Sequence, residues 1–144
     1  MVDKDDLVAL ANFRMVLRKY LRFVELGAVE AGITPQQHQL LLAVEAHVGR
    51  NWATIGELSE SLQLRHHAAV GLVDRCQAVG LVERAISTED RRVVRVTLTA
   101  KGTEILYRLS ERNLKELRGA LIGLTADLEE LTNQQRVESE DQID

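Results

Sequence analysis

The stretch EDRRVVRVTLTAKG, Glu89 to Gly102, decides how this chain is read. It opens with acid beside base (Glu89, Asp90, Arg91, Arg92), the composition of an exposed turn. Val94, Val96 and Leu98 then alternate with polar residues, the two-residue period of a strand with one buried face. At Thr99 the pattern switches to a capped helix. Upstream, Val82 to Ile86 is a second strand-like run, so the two segments, 82–86 and 93–98, pair as a hairpin with a charged tip at 87–92. Arg91, Arg92 and Arg95 crowd that hairpin although the chain carries a net charge of −4. Neither a core nor a catalytic pocket needs three arginines there. A polyanion outside the chain does.

Working outward, RHHAAVGLVDRCQAVG reads as a helix with Ala69, Leu72, Val73 and Cys76 in one inward stripe. Gly80 stands where a left-handed C-cap belongs, with Leu81 folding back on the last turn. A short helix carrying Ile55, Leu58 and Leu62 precedes it. Thr54 caps that helix, Glu57 is the reciprocal partner, and Trp52 and Ala53 form a short strand before it. Gln63 and Leu64 make the tight turn between the two helices, a helix-turn-helix. Thr34, Pro35 and Gln37 start another helix, running to about Val48. The first helix spans Lys4 to Glu30, with Leu7, Leu10, Leu17, Leu21, Val24 and Ala28 at helical spacing; Phe13, Val16 and Tyr20 widen the stripe beyond one core face. After Thr99 a long helix is expected to about Gly123, with Thr125 opening a last one that frays into an acidic tail.

Composition sets the outer limits. A chain of 144 residues buries a real core without disulfide or metal staples. One cysteine, Cys76, fits a reducing compartment; no apolar run suits a membrane span and the N-terminus lacks a basic signal-peptide start. A soluble, cytoplasmic protein is expected. The acidity is local: from Leu128 onward the charge is −5, so the remainder carries +1, and Arg65 to Arg95 carries +2.

Three helices followed by a basic-tipped hairpin is the order of a winged helix-turn-helix. The segments ATIGELSESLQL, LVDRCQAVGLVER and EDRRVVRVTLTAKG resemble the MarR family of bacterial transcriptional regulators. Asp90 and Arg92 match its Asp-x-Arg, and Leu98, Thr99 and Gly102 its Leu-Thr-x-x-Gly, with the match covering roughly 34–102. The resemblance implies a mainly α fold with a small β-hairpin wing (α+β), divided into an N-terminal dimerisation helix (1–33), the winged DNA-binding domain (34–102), C-terminal dimerisation helices (103–136) and a disordered acidic tail (137–144). It also implies a regulator in the repressor role. Such a regulator binds a pseudo-palindromic operator in double-stranded DNA as a homodimer and is released by a small aromatic or phenolic effector. For that effector the residues to examine are Arg14, Arg18, Tyr20, His38 and Trp52. No cofactor is implied.

The residues themselves point the same way. Opposite the buried stripe of the fourth helix lie His67, Gly71 and Asp74, with Val70 and Arg75 at the edges. Arg65 and His66 sit at its N-terminus, where backbone N–H groups favour phosphate. Arg91 or Arg92 is placed to reach a minor groove, and Asp90 to brace the hairpin turn. Family members often carry Ser and Thr where this chain has RHHAA, so its base-reading set is sparse and shape readout carries more of the specificity. The histidines also give protonation near neutral pH a route to modulate binding. His66 and His67 diverge by about 100° on the helix and do not chelate one ion. Cys76 reads as a buried small hydrophobe. Two other uses remain open at this level: a winged-helix module that docks a protein without sequence-specific DNA binding, and an enzyme, for which no nucleophile–base pair or paired carboxylate is visible.

Overall fold

Two threonines start two of the helices as the sequence predicts. Thr34 Oγ1 accepts from Gln37 N at 3.1 Å while Gln37 Oε1 accepts from Thr34 N at 2.9 Å. Thr54 and Glu57 repeat this reciprocal box at 3.3 and 3.1 Å. In a computed structural model, which describes residues 1–141 (the side chains of 134, 138, 140 and 141 aside), the elements are α1 (Lys4–Glu30), α2 (Pro35–Glu45), β1 (Trp52–Thr54), α3 (Ile55–Ser61), α4 (His66–Ala78), β2 (Val82–Ile86), β3 (Val94–Leu98) and α5 (Ala100–Asp141). The chain is mainly helical with a small antiparallel sheet, as expected.

The strands run in the order β1-β3-β2. Trp52 pairs with Thr97 and Thr54 with Arg95, while Val82 pairs with Leu98 and Ile86 with Val94. This register turns Ala53, Val82 and Val96 inward, where they join Leu40, Leu41, Val44, Leu58, Leu72, Val73, Cys76 and Leu81 in one core. Between α3 and α4, Gln63 adopts φ 53°, unusual for a residue with a Cβ. It is held there because Gln63 N donates to Glu60 O at 3.2 Å and Leu64 N to Ser59 O at 2.9 Å, the paired bonds of a Schellman end. Gly80, at φ 76°, closes α4 in the same way, with Leu81 N donating to Cys76 O at 2.9 Å.

The chain divides into two compact units. One comprises residues 25–110 and holds the winged helix-turn-helix; the other comprises 1–24 and 111–144. These limits differ from the expected breaks at 33/34 and 102/103, because the last turns of α1 and the first of α5 supply Ala28, Ile105, Leu106 and Leu109 to the winged core. α2 stops at Glu45 rather than near Val48, where His47 instead bridges to Arg50. The expected break near Gly123 is absent, and α5 is one helix of 42 residues. Thr125 does not cap a new helix; its hydroxyl donates back to Leu121 O at 2.8 Å within the running one. The helix also continues through 137–141 where a disordered tail is expected, and 142–144 lie outside the described residues. No helix among the described residues is long and apolar enough to cross a membrane.

The junction of α4, β2 and α5 has no room to spare. Thr99 N donates to Leu81 O at 3.1 Å, Thr99 Oγ1 to Gly80 O at 2.6 Å and Lys101 Nζ to Val79 O at 2.8 Å. A Cβ on Gly102 would stand 2.1 Å from Leu81 O. Gly102→Ala is therefore expected to destabilise the chain by about 3 kcal/mol or more, since the obstacle is backbone; urea unfolding measures it.

Candidate nucleic-acid interface

The surface begins at the N-terminus of α4. Arg65 occupies the cap position with no side-chain capping bond, and His66 and His67 open the helix; all three are exposed. Gly71 lies one turn on from His67, and a Cβ there would stand 3.4 Å from Arg75 Nη1, so the Arg75 guanidinium lies back over the glycine. Arg75 is exposed. Ala69, Leu72, Val73 and Cys76 are buried, the inward stripe that the spacing predicts. Burial pushes the Cys76 thiol up to about 11, and nearby Arg75 offsets this only partly, so the group stays protonated and packs as a hydrophobe.

The wing tip is a small hydrogen-bonded knot. Ser87, itself buried, accepts at Oγ from Glu89 N at 3.2 Å and Asp90 N at 3.4 Å, and Ser87 N donates to Val93 O at 2.9 Å. Asp90 Oδ1 accepts from Arg92 N at 3.0 Å and Arg92 Nε at 3.1 Å, and Oδ2 from Arg92 Nη2 at 3.1 Å. The Arg92 guanidinium and then its backbone N–H hold the Asp90 carboxyl below the usual carboxylate range. Arg92 itself is 90% exposed despite this clasp. Arg91 is exposed and makes no ion pair or hydrogen bond among the described residues.

Charge pairing sorts the arginines between 65 and 95. Arg84 pairs with Asp74 at 2.6 Å, Arg92 with Asp90 and Arg95 with Glu89 at 3.7 Å. The local charge of +2 then resides in Arg65, Arg75 and Arg91 against Glu83. Arg95 is half-buried, with its guanidinium 3.9 Å from the Trp52 ring centroid. It links the sheet, through Trp52, to the tip, through Glu89.

Arg84 and Arg50 are the residues that spacing did not reveal. Arg84 donates from Nη2 to Asp74 and from Nη1 to Gln77 Oε1, which ties β2 to the last turns of α4. Arg50 lies 4.2 Å from the Trp52 centroid, pairs with Glu57 at 3.0 Å and donates to His47 Nδ1 at 3.1 Å. Partial burial works to raise the Glu57 pKa, but the Thr54 N–H and Arg50 outweigh it and hold the carboxyl low. The partners in both networks are remote in sequence or lack a motif, and only the LVER segment hinted at Arg84.

The expected effector residues fall in different surroundings. Arg14 and Arg18 are exposed on α1 and Tyr20 is half-buried there, all in the unit of residues 1–24 and 111–144. His38 is buried in the winged unit, and Trp52 there meets Arg50 and Arg95. Among the described residues, no group of three or more His, Cys, Asp or Glu could hold a metal ion.

This hairpin-and-helix arrangement defines a winged helix-turn-helix protein. Residues 31–93 match the model of the MarR family. The chain is 34% identical over 94 residues to the HTH-type transcriptional regulator YsmB of Bacillus subtilis, covering 61% of this chain and 64% of that protein. It spans less than two thirds of the length of the curated relatives it matches. Its fold is similar to the crystal structure of AbsC, a MarR family transcriptional regulator from Streptomyces coelicolor, with TM-score 0.71 and 20% identity over 98% of this chain and 96% of that one. It is also similar to a MarR variant from E. coli complexed with operator DNA, with TM-score 0.64 and 24% identity over 85% and 89% of the two chains. Over residues 31–93 the chain thus matches the MarR family, and the curated relatives it is similar to are transcriptional regulators.

His38 yields a pH prediction. Its desolvation lowers its pKa below the ordinary 6.5, so folding favours the neutral ring. The unfolded chain then binds the proton more readily; stability from this group is whole above about pH 6.5 and falls as pH drops through the lower, folded-state value. Melting temperatures followed from about pH 7.5 to about pH 5 should fall, and His38→Gln should flatten the slope in that window.

Proposed function

We propose that this chain is a DNA-binding transcriptional regulator that grips a pseudo-palindromic operator as a homodimer, in the repressor role. One observation carries the reading. Once the ion pairs are accounted for, the unpaired cations of the Arg65–Arg95 segment are Arg65 and Arg75 on α4 and Arg91 at the wing tip. These are groups suited to phosphate rails and groove edges. On this reading α4 enters the major groove, with His67, Gly71 and Arg75 near base edges and Arg65 and His66 at the phosphates by its N-terminus. Arg91 and Arg92 extend from a tip braced by Asp90. The operator complex of the E. coli relative adds support.

The homodimer is supported by apolar surface left uncovered in the unit of residues 1–24 and 111–144. Ala9, Leu10, Phe13, Leu124, Leu128 and Leu131 line a cleft of about 350 Å³. Leu7, Leu17, Leu21, Leu121 and Ile122 are exposed as well. A second copy of the same surface buries it symmetrically, and the two-fold then sets the reading helices about 34 Å apart. Release by a small aromatic or phenolic effector is supported by the family relationship. It would act by favouring a dimer with misplaced reading helices, drawing on Arg14, Arg18, Tyr20, His38 and Trp52.

Selection of bound duplexes from a genomic pool should return two-fold symmetric sites; a chain that retains no duplex in dilute buffer sinks the reading. Arg91→Ala and Arg92→Ala should each weaken binding across sequences and lower the salt slope by about one. His67→Ala should alter site preference more than non-specific affinity. Sedimentation should give a dimer that Leu10→Asp dissociates. Titration with phenolic compounds should weaken operator binding, whereas a flat response removes the effector.

A further inference from the structure

The outward face of α4 carries an acid where DNA would be approached. Asp74 lies about 150° round the helix from the centre of the buried stripe Ala69, Leu72, Val73 and Cys76, and it is exposed. A free carboxylate there opposes phosphate. It is not free: Arg84 Nη2 reaches it at 2.6 Å, and the other terminal nitrogen of the same guanidinium bonds Gln77 Oε1. Asp74 and Gln77 are i and i+3 on one flank of α4, so the planar fork spans neighbouring side chains. Arg84 is anchored on β2 opposite Val96, three residues before the wing tip begins at Ser87. Its side chain is 26% exposed against 62% for Asp74, so the cation comes from the more sheltered partner.

We infer that Arg84 is a positioning residue of the DNA-binding surface: it cancels the Asp74 charge and clamps the recognition helix to the base of the wing, so that both meet the duplex as one body. This rests on the DNA-binding reading above. As a fold-stabilising contact, an exposed ion pair of this kind contributes little. Its effect lies in the potential met by phosphates and in the relative placement of two elements that must fit adjacent grooves. Arg84 acts through Asp74 and Gln77 and makes no phosphate contact.

The test is a cycle in the full chain. Wild type, Arg84→Met, Asp74→Asn and the double variant are compared by duplex titration over a range of salt, with circular dichroism melting as the fold control. Arg84→Met should weaken duplex binding about tenfold, and Asp74→Asn alone should change it by no more than about threefold. The double variant should recover to within about threefold of wild type with an unchanged salt slope. Arg84→Lys, which keeps the charge but loses the fork, should fall between wild type and Arg84→Met, and it serves if the methionine variant fails to fold. Unchanged affinity in Arg84→Met overturns the inference. So does a double variant that stays weak with its slope lowered by about one, because Arg84 then contacts phosphate itself. Wild type that binds no duplex overturns the underlying reading instead, and that result appears before any substitution is made.

Discussion

The winged unit depends on how the C-terminal end of α4 is received by the start of α5. Successive carbonyls of Val79, Gly80 and Leu81 accept from Lys101 Nζ, Thr99 Oγ1 and Thr99 N. Those carbonyls lie at and just past the C-cap of α4, and the residues that open α5 supply their donors. The Thr99 hydroxyl does double service, donating to Gly80 O and accepting from Gly102 N at 3.1 Å. Gly102 is buried against the Leu81 backbone, which a Cβ at that position would meet. The Leu-Thr-x-x-Gly pattern thus has a physical content: it docks the long α5 onto the end of α4. The wing sits between these two elements in the chain, so its root is fixed at both ends.

A second constraint is electrostatic. The segment containing α4 and the hairpin is nearly balanced, yet its acids are not scattered. Asp74, Glu89 and Asp90 each have an arginine partner, and Glu57 of α3 is held by Arg50. Individually these exposed pairs add little to stability. Collectively they decide which charges remain to act outward. A chain with a formal charge of −4 can therefore present a cationic edge without a large basic patch.

Much of this was legible in the sequence because local rules enforce it. Both capping boxes, the Gly80 end of α4, the two wing strands and the bond from Arg92 to Asp90 follow from short spacings whose chemistry is self-contained. The misreadings arise where local signals compete with continuity. Thr125 has the residue type of a cap, but within an unbroken helix its hydroxyl bonds back to Leu121 O. Gly119 and Gly123 meet nothing within 4 Å and are tolerated in exposed helix, so neither ends α5. Of the candidate site, residue types at the wing and α4 were legible, whereas their pairing was not. Arg84 and Asp74 are ten residues apart on different elements, and Trp52 meets Arg95 only through the β1–β3 register. No one-dimensional period encodes either contact.

The two compact units also differ in how completely they bury their apolar residues, and that difference bears on regulation. The winged unit has a closed core, with Leu40, Leu41, Val44, Leu58 and Leu81 fully covered, although Leu26, Val29, Leu42, Val48 and Val79 are exposed on its surface. In residues 1–24 and 111–141, Leu7, Leu10, Phe13, Leu17, Leu21, Leu121, Ile122 and Leu128 all stay exposed, Ile122 at 74%. Burial drives assembly in proportion to the apolar area it removes from water, so on the proposed dimer reading these faces are the ones a second copy covers. α1 and α5 each begin in one unit and end in the other without a break in helical hydrogen bonding. On the proposed reading, whatever alters how two copies cover those faces acts on helices that also furnish Ala28, Ile105, Leu106 and Leu109 to the winged core.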